Sequence, residues 1–324
     1  MIDKMKAIQF QQTGLWTNVL KVSEVPIDEP GSDEVQIRIL ARPVNPSDEM
    51  FIQGVYRQKP VLPQIAGLEG AGIIEKCGQE VDQSFIGKHV CFKARGTWAE
   101  KVNLKLSNCN ILPDQIPFEV ACQLSLNTLT AYALLERAEL SEGQWLLLTA
   151  ANSSVGQQLI QIAKAQEIHV VAVIRKDEQR QKLHALGATL VLNSEKQDVV
   201  KEISEKIENG IHACMDAVGG TIGSQLFKVA APHCKVIIYG RLSNEPVCFL
   251  NADVVYKNMQ LQGFGIDDWM NSKTNDQLTL IWNSLITSVL NGTLKVNYDK
   301  IFQLSDFQQA IQTYKETGSR IILK

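Results

Sequence analysis

Six short apolar runs recur through the second half of the chain, at residues 145–149, 170–174, 190–192, 211–215, 236–239 and 261–264. Helical stretches separate the early ones. After the first run, Val155, Leu159, Ile162 and Ala163 fall on one helical face, with Gln157, Gln158, Gln161 and Lys164 opposite. After the second, a helix carrying Leu183 and Leu186 stops at Gly187. A strand that is apolar on both faces needs cover on both sides. Strands of this kind alternating with helices form a parallel sheet wrapped by helices, a doubly wound α/β domain.

The first 120 or so residues read differently. Val35, Ile37 and Ile39 alternate with polar neighbours, the period-two pattern of a half-buried strand. Gly67, Gly70, Gly72, Gly78 and Gly87 follow in close succession, as bulges and bends of a small barrel require. A chain of 324 residues suggests about two domains. The expected layout is a first domain over residues 1–121, a doubly wound domain over 122–265, and a return to the first domain over 266–324. In that return, Ser305 is the expected cap of a helix running through Phe307, Ala310, Ile311 and Tyr314 to Gly318, with a closing strand after it.

Composition removes several function classes. The net charge of −3 gives no electrostatic footprint for nucleic acid or for an anionic membrane. The apolar runs are far short of a bilayer span. Met1 to Lys6 holds no apolar signal region, so export is not expected. Seven scattered cysteines, with no CxxC pair, read as reduced thiols of a cytoplasmic protein. The five histidines fall in no ligand or acid–base constellation.

The turn after the first apolar run carries the strongest chemical signal. It reads Ala150-Ala151-Asn152-Ser153-Ser154-Val155-Gly156 and opens a helix. Strand, small-residue turn, helix is the arrangement that seats a pyrophosphate on a helix N-terminus. Only Gly156 remains of the three fingerprint glycines, and an ordinary αβ turn has the same outline. At the end of the next run stand Arg175 and Lys176, where NAD-binding domains place an acidic residue on the ribose. A guanidinium there suits a 2′-phosphate, which favours NADPH. The turn at residues 216–220 and the pair Tyr239-Gly240 also allow close approach of a cofactor, and each equally fits a plain glycine turn.

Two segments carry a resemblance. One holds Asn45-Pro46-Ser47-Asp48, Gln53-Gly54-Val55-Tyr56, Leu62-Pro63 and Gly67-Leu68-Glu69-Gly70; the other holds Asn127-Thr128-Leu129-Thr130-Ala131-Tyr132 and the turn just described. With Gly96-Thr97-Trp98-Ala99-Glu100, they resemble the zinc-free branch of the medium-chain dehydrogenase/reductase superfamily over essentially the whole chain. The chain resembles the enoyl thioester reductases of fatty-acid synthesis most, and the quinone oxidoreductases next. The resemblance implies a GroES-like β-barrel catalytic domain, a Rossmann domain and a homodimer. Zinc members have a cysteine near position 45 and a histidine in a Gly-His-Glu triplet; Asn45-Pro46 and Leu68 stand there instead, and only Glu69 is kept. No metal site is expected.

What the resemblance implies about residues is specific. Tyr56, in its Gln-Gly-x-Tyr segment, is the expected catalytic hydroxyl, with a half-buried loop tyrosine as the plain alternative. Cofactor contacts carry over onto Asn45, Asn127, Asn152, Ser153, Ser154, Val155, Gly156, Arg175, Lys176, Tyr239, Gly240, Phe264 and Arg320. Asn45 borders the nicotinamide in this reading, or else caps its turn. Tyr132 reads as core. The expected activity is NADPH-dependent reduction of a 2-enoyl thioester on CoA or a carrier protein. The alternatives are an NADPH:quinone reductase and a non-catalytic NADPH sensor. One departure is Phe264-Gly265, where the enoyl thioester reductases have Phe-Trp, which leaves Trp269 as the candidate replacement indole.

Overall fold

A computed structural model describes residues 4–324. The first three residues, part of the stretch read for an export signal, lie outside the described ones. Two compact units are present. Unit one takes the described residues up to Leu126 together with Val296–Lys324, and unit two is Asn127–Lys295.

Unit one begins with eight strands: β1 (Lys4–Phe10), β2 (Lys21–Pro26), β3 (Glu34–Pro43), β4 (Gln64–Ile65), β5 (Glu69–Cys77), β6 (His89–Lys93), β7 (Lys101–Lys105) and β8 (Cys109–Leu112). β3 is the hub, paired antiparallel with both β5 and β7. Its alternating Val35, Ile37 and Ile39 are all buried and pack with Ile74, Val90 and Phe92. Gly72 shows why this region is glycine-rich: a Cβ there would lie 1.9 Å from the Arg38 carbonyl oxygen on β3. A seven-residue helix, Pro46–Ile52, lies between β3 and β4. Periodicity does not announce it, but its cap does. Pro46 holds the first helical position, where its missing N–H costs nothing, and Asp48 at the third position reaches back to the Asn45 N–H at 2.8 Å.

Unit two contains β9 (Trp145–Leu148), β10 (His169–Ile174), β11 (Leu190–Asn193), β12 (Ile211–Asp216), β13 (Ala230–Ile238) and β14 (Gln260–Gly263). All five pairings are parallel, in the order β11-β10-β9-β12-β13-β14. This is the Rossmann order, reversing between β9 and β12. Two apolar layers cover the sheet, one through Leu146, Leu148, Leu159 and Ala172, the other through Leu147, Val171, Leu226 and Val236. The helix Ser154–Ala165 departs from expectation on its polar side. Gln157, Gln158 and Gln161 are buried rather than solvated. Gln161 explains part of this, exchanging bonds of 3.1 and 2.8 Å with the Lys295 carbonyl and N–H.

The return to unit one begins at Val296, not at residue 266. The helix Ile266–Asn271 stays with unit two because Trp269 is buried there, donating its indole N–H to Glu136 at 2.7 Å and meeting Tyr132 edge-on. Two strands complete unit one, β15 (Lys300–Phe302) and β16 (Ile321–Leu323). They extend its larger sheet to β15-β16-β3-β5-β6-β8, with β7 also on β3, while β2-β1-β4 form a small separate sheet. The helix Phe307–Thr317 ends at Gly318 as its sequence indicates, but Asp306 precedes it, because Leu304–Asp306 winds into a 3-10 turn that takes Ser305 out of the cap. Buried Arg42 ties this region together, donating to the carbonyls of Thr97, Ala99, Ile39 and Leu323. Among the described residues no helix is long and apolar enough to cross a membrane.

Candidate functional site

In unit two, most of the residues singled out by sequence gather on one edge of the sheet. β9, β10, β12, β13 and β14 all end there, and the strand-order reversal at β9 and β12 opens a crevice outside their carboxyl ends. The turn from Ala150 to Gly156 follows β9 directly. Ala150 takes the left-handed φ of 47°, a strain usually met by glycine. Ser153 caps the following helix, its hydroxyl accepting from the Gly156 N–H at 3.1 Å. Ser154 and Val155, in the first turn, have N–H groups with no intrahelical acceptor, at the positive end of the helix dipole. Gly156 is required for packing: a Cβ would lie 2.6 Å from the Ala151 carbonyl oxygen. Of the three fingerprint positions, this chain therefore keeps the one that seats the helix against the strand.

Arg175 and Lys176 follow β10 and are both exposed. The nearby acid, Asp177, is engaged by Arg180 and Lys196 instead, at 3.0 and 2.8 Å. Those contacts hold its carboxyl well below the usual range, Lys196 contributing most. Two exposed cations thus follow β10 while the nearby acid is engaged elsewhere, and such groups can pair with a 2′-phosphate. Tyr239 and Gly240 leave β13 with their N–H groups on the Asp216 carbonyl, at 2.9 and 3.3 Å. Burial, then the Asp216 charge, pushes the Tyr239 hydroxyl well above the usual tyrosine range, so it stays neutral. Gly240 again admits no side chain, its Cβ position being 2.7 Å from the Ala217 carbonyl oxygen. Phe264 packs on the apolar layer beneath this edge.

Sequence reading singled out the turn that begins at Asp216 but gave the Asp216 side chain no role. Asp216 ends β12 and is buried, and its side chain turns inward to organise the edge. It accepts from Thr149 Oγ1 at 2.7 Å and from the N–H groups of Val218 and Gly219. Thr149 in turn accepts from the Ala217 N–H at 2.9 Å. This network shapes the 217–219 turn. A polar residue ending an apolar run was the available signal.

Unit one holds the remaining candidates. Asn45 is the N-cap of the helix Pro46–Ile52, and its Nδ2 donates to Glu69 Oε1 at 2.8 Å. Glu69 Oε2 accepts from the Leu126 N–H at 3.0 Å and the Ser125 hydroxyl at 3.4 Å. Glu69 is buried, and burial lifts its carboxyl to about 8, against the pull of Asn45, while Asp48 raises it further. Asp48 is likewise buried and lifted to about 7, opposed by the N–H groups of Asn45 and Leu68. Ser125 and Leu126 sit in a π-helical turn, Leu124–Thr128, which also contains Asn127. Such turns are frequent at functional sites.

Tyr56 is half-buried in the loop that leaves this helix. The N–H groups of Val55 and Tyr56 both reach the Met50 carbonyl at 3.0 Å, with Gly54 in the left-handed region between them. Residues 50–68 and 88–99 contain no Asp or Glu, yet contribute Arg57, Lys59, Lys88, Lys93 and Arg95. Arg95 joins the two segments, donating through Nε and Nη2 to Gln58 Oε1 at 3.2 and 2.7 Å. Its guanidinium also lies 5.8 Å over the Phe51 ring. Arg320 is engaged differently from expectation: its guanidinium pairs with Asp299, and its N–H donates to the same carboxylate at 2.8 Å. Trp269 is likewise committed to Glu136 and Tyr132, not to replacing an indole after Phe264.

Two family models match the chain. The zinc-binding dehydrogenase model covers residues 154–281 and the alcohol dehydrogenase GroES-like domain model covers 31–115. The mitochondrial enoyl-[acyl-carrier-protein] reductase of Dictyostelium discoideum is 26% identical over 330 aligned residues, 97% of this chain and 92% of that protein. A protein of Bacillus thuringiensis described as an NADPH:quinone reductase superposes with a TM-score of 0.93, at 28% identity, over 99% of both chains. Quinone oxidoreductase of Escherichia coli, solved in complex with NADPH, superposes with a TM-score of 0.89 at 25% identity, over 98% of this chain and 99% of that one.

Proposed function

The chain belongs to the medium-chain dehydrogenase/reductase superfamily, and on that premise we propose that it is a zinc-independent, NADPH-dependent reductase of the C=C bond of 2-enoyl thioesters. The residues fit the cofactor. Ser154 and Val155 offer N–H groups to the pyrophosphate, Gly156 seats their helix against the Ala151 backbone, Gly240 lets the chain pass Ala217, and Arg175 and Lys176 meet the 2′-phosphate. Asn45, Asn127, Asn152, Ser153, Tyr239 and Phe264 are the further proposed contacts. Arg320 is the weakest member of the set, because Asp299 already holds its guanidinium.

Reduction of an activated alkene needs a hydride at Cβ, a proton at Cα, and stabilisation of the carbonyl oxygen as it becomes enolate-like. NADPH supplies the hydride when bound. Tyr56 donates its hydroxyl proton as a hydrogen bond to the carbonyl oxygen or as the proton for Cα. The single observation that favours a thioester over a quinone is the likeness, over nearly the whole chain, to mitochondrial enoyl-[acyl-carrier-protein] reductase, that of Dictyostelium discoideum aligning over 97% of this chain. Arg57 and Lys59, in the loop that carries Tyr56, are cations suited to the phosphates of CoA or of a carrier's phosphopantetheine. A quinone has no such group. NADPH:quinone reduction remains the second reading, supported by the two structural relatives. A non-catalytic sensor is the least supported.

Two further features belong to the proposal. A second copy of the chain docks on the open edge of β14, where Leu250, Val255, Tyr256 and Leu261 expose apolar side chains. Light scattering at twice the chain mass supports this dimer, and the monomer mass contradicts it. The free thiols of all seven cysteines suit a reducing compartment, the cytoplasm in our reading. The activity is tested by NADPH oxidation with crotonyl-CoA and with a quinone, wild type beside Tyr56→Phe. The proposal expects turnover of crotonyl-CoA and a loss of about a hundredfold or more in the variant. Reduction of the quinone alone, unchanged in the variant, sinks both the thioester assignment and the role of Tyr56.

A further inference from the structure

Glu69 is a buried carboxylate for which the proposed chemistry has no use, yet it is surrounded by donors. Oε1 takes Asn45 Nδ2 at 2.8 Å, and Oε2 takes the Leu126 N–H at 3.0 Å and the Ser125 hydroxyl at 3.4 Å. A buried acid is costly unless its partners repay the lost hydration. Three converging donors, one of them a backbone N–H, repay part of that cost, and burial still keeps the carboxyl protonated up to about pH 8. The other titratable groups facing it do not help: Asp48 from the helix, Cys91 from β6 and Cys122 beyond the short helix Phe118–Ala121 all disfavour its charge or share it. Expense of this kind in an otherwise apolar region implies a role that an apolar side chain would not fill.

The segments joined are informative. Asn45 caps the helix whose far end runs into the Tyr56 loop, and Leu126 immediately precedes Asn127 in the π-helical turn. Oε1 accepts from Asn45 Nδ2 at 2.8 Å, which dictates the end of the amide that faces Glu69 and sends Oδ1 toward the first turn of the helix. We propose that Glu69 is a positioning residue of the reductase site, fixing the orientation of the Asn45 amide and the position of the Ser125–Leu126 turn through one side chain. This rests on the reading of Asn45 and Asn127 as cofactor contacts. It assigns Glu69 a task in this chain that does not depend on a metal.

The test is a donor–acceptor exchange on the full chain. Glu69→Gln keeps size but turns one acceptor into a donor, which then faces the Asn45 amide or the Ser125–Leu126 donors. Asn45→Asp sets two acids against each other. Together, Asn45→Asp/Glu69→Gln re-forms the bond with donor and acceptor exchanged, leaving an acceptor for Leu126. The readouts are the NADPH dissociation constant from cofactor fluorescence, kcat with crotonyl-CoA, and the melting temperature. Each single variant is expected to weaken NADPH binding and lower kcat, together by about tenfold or more, as loss of a buried hydrogen bond with one partner left unsatisfied predicts. The exchanged pair is expected to recover most of that loss. The proposal is overturned if Glu69→Gln matches wild type in binding and kcat. It is also overturned if the pair is as poor as the two singles combined, or if every loss follows the folded fraction. Should Glu69→Gln alone not fold, Asn45→Asp and the pair still decide. If wild type fails to reduce crotonyl-CoA, the thioester reading fails, and the NADPH-binding series still judges Glu69.

Discussion

In the proposed reductase, Arg175 is the residue on which cofactor choice turns. It stands just past β10, exposed, with the adjacent acid drawn off by Arg180 and Lys196. Arg175→Ala is expected to raise KM for NADPH about tenfold or more and to leave KM for NADH nearly unchanged, because only the 2′-phosphate is lost as a partner. Steady-state titration of both cofactors checks this; equal effects on both contradict it. The places of Arg175 after β10 and of Gly156 in the first turn of its helix were legible in the sequence, because a strand, a short turn and a helix fix where such residues fall. The roles of Asp216 and Glu69 were not, because a buried carboxylate is intelligible only from its donors, and these come from residues far along the chain. Trp269 was visible as an indole, but its partner Glu136 lies more than a hundred residues earlier.

At the scale of elements, β9 to β13 of the Rossmann sheet declared themselves through apolar runs that need cover on both faces, whereas β14 is largely exposed. The helix Pro46–Ile52 did not, since seven residues give too few turns for periodicity, and only its Asn-Pro-Ser-Asp cap marks it. The buried glutamines of the helix Ser154–Ala165 were misjudged for a related reason: an amide pairs with a backbone carbonyl or N–H as readily as with water, so a polar stripe does not prove an exposed face. The loop after Pro46–Ile52 bears its own prediction. Arg57→Ala/Lys59→Ala is expected to lower kcat/KM for crotonyl-CoA about tenfold, by the loss of charge-assisted contacts to phosphate. The N-acetylcysteamine thioester of crotonate, which has no phosphate, is expected to be unaffected. An equal loss on both esters would assign the two cations to the loop's own structure.

Across the whole molecule, two buried acids leave a signature in stability. Asp48 and Glu69 bind protons up to about pH 7 and about 8 when folded, whereas in the unfolded chain ordinary carboxyls release them near pH 4. Between these limits the unfolded chain holds fewer protons, so stability falls as pH rises. Their stabilising contribution is complete below about pH 4 and is lost as pH climbs through the folded values. The melting temperature is therefore expected to decline from pH 5 to pH 8, and Glu69→Gln to flatten that decline; equal slopes in the two proteins contradict it. The division into units was only partly legible. The change from glycine-rich strands to apolar runs marked the first boundary to within a few residues, at Leu126. The second, at Val296, is set by Trp269 on Glu136 and Gln161 on Lys295, contacts that composition does not announce.

The central claim is that this chain delivers a hydride from NADPH to the β-carbon of a 2-enoyl thioester. Its most direct test is mass spectrometry of the product from crotonyl-CoA and NADPH deuterated at the transferable nicotinamide position. The account predicts butyryl-CoA carrying a single deuterium at Cβ. Unchanged crotonyl-CoA, while the same preparation oxidises NADPH with a quinone, contradicts it.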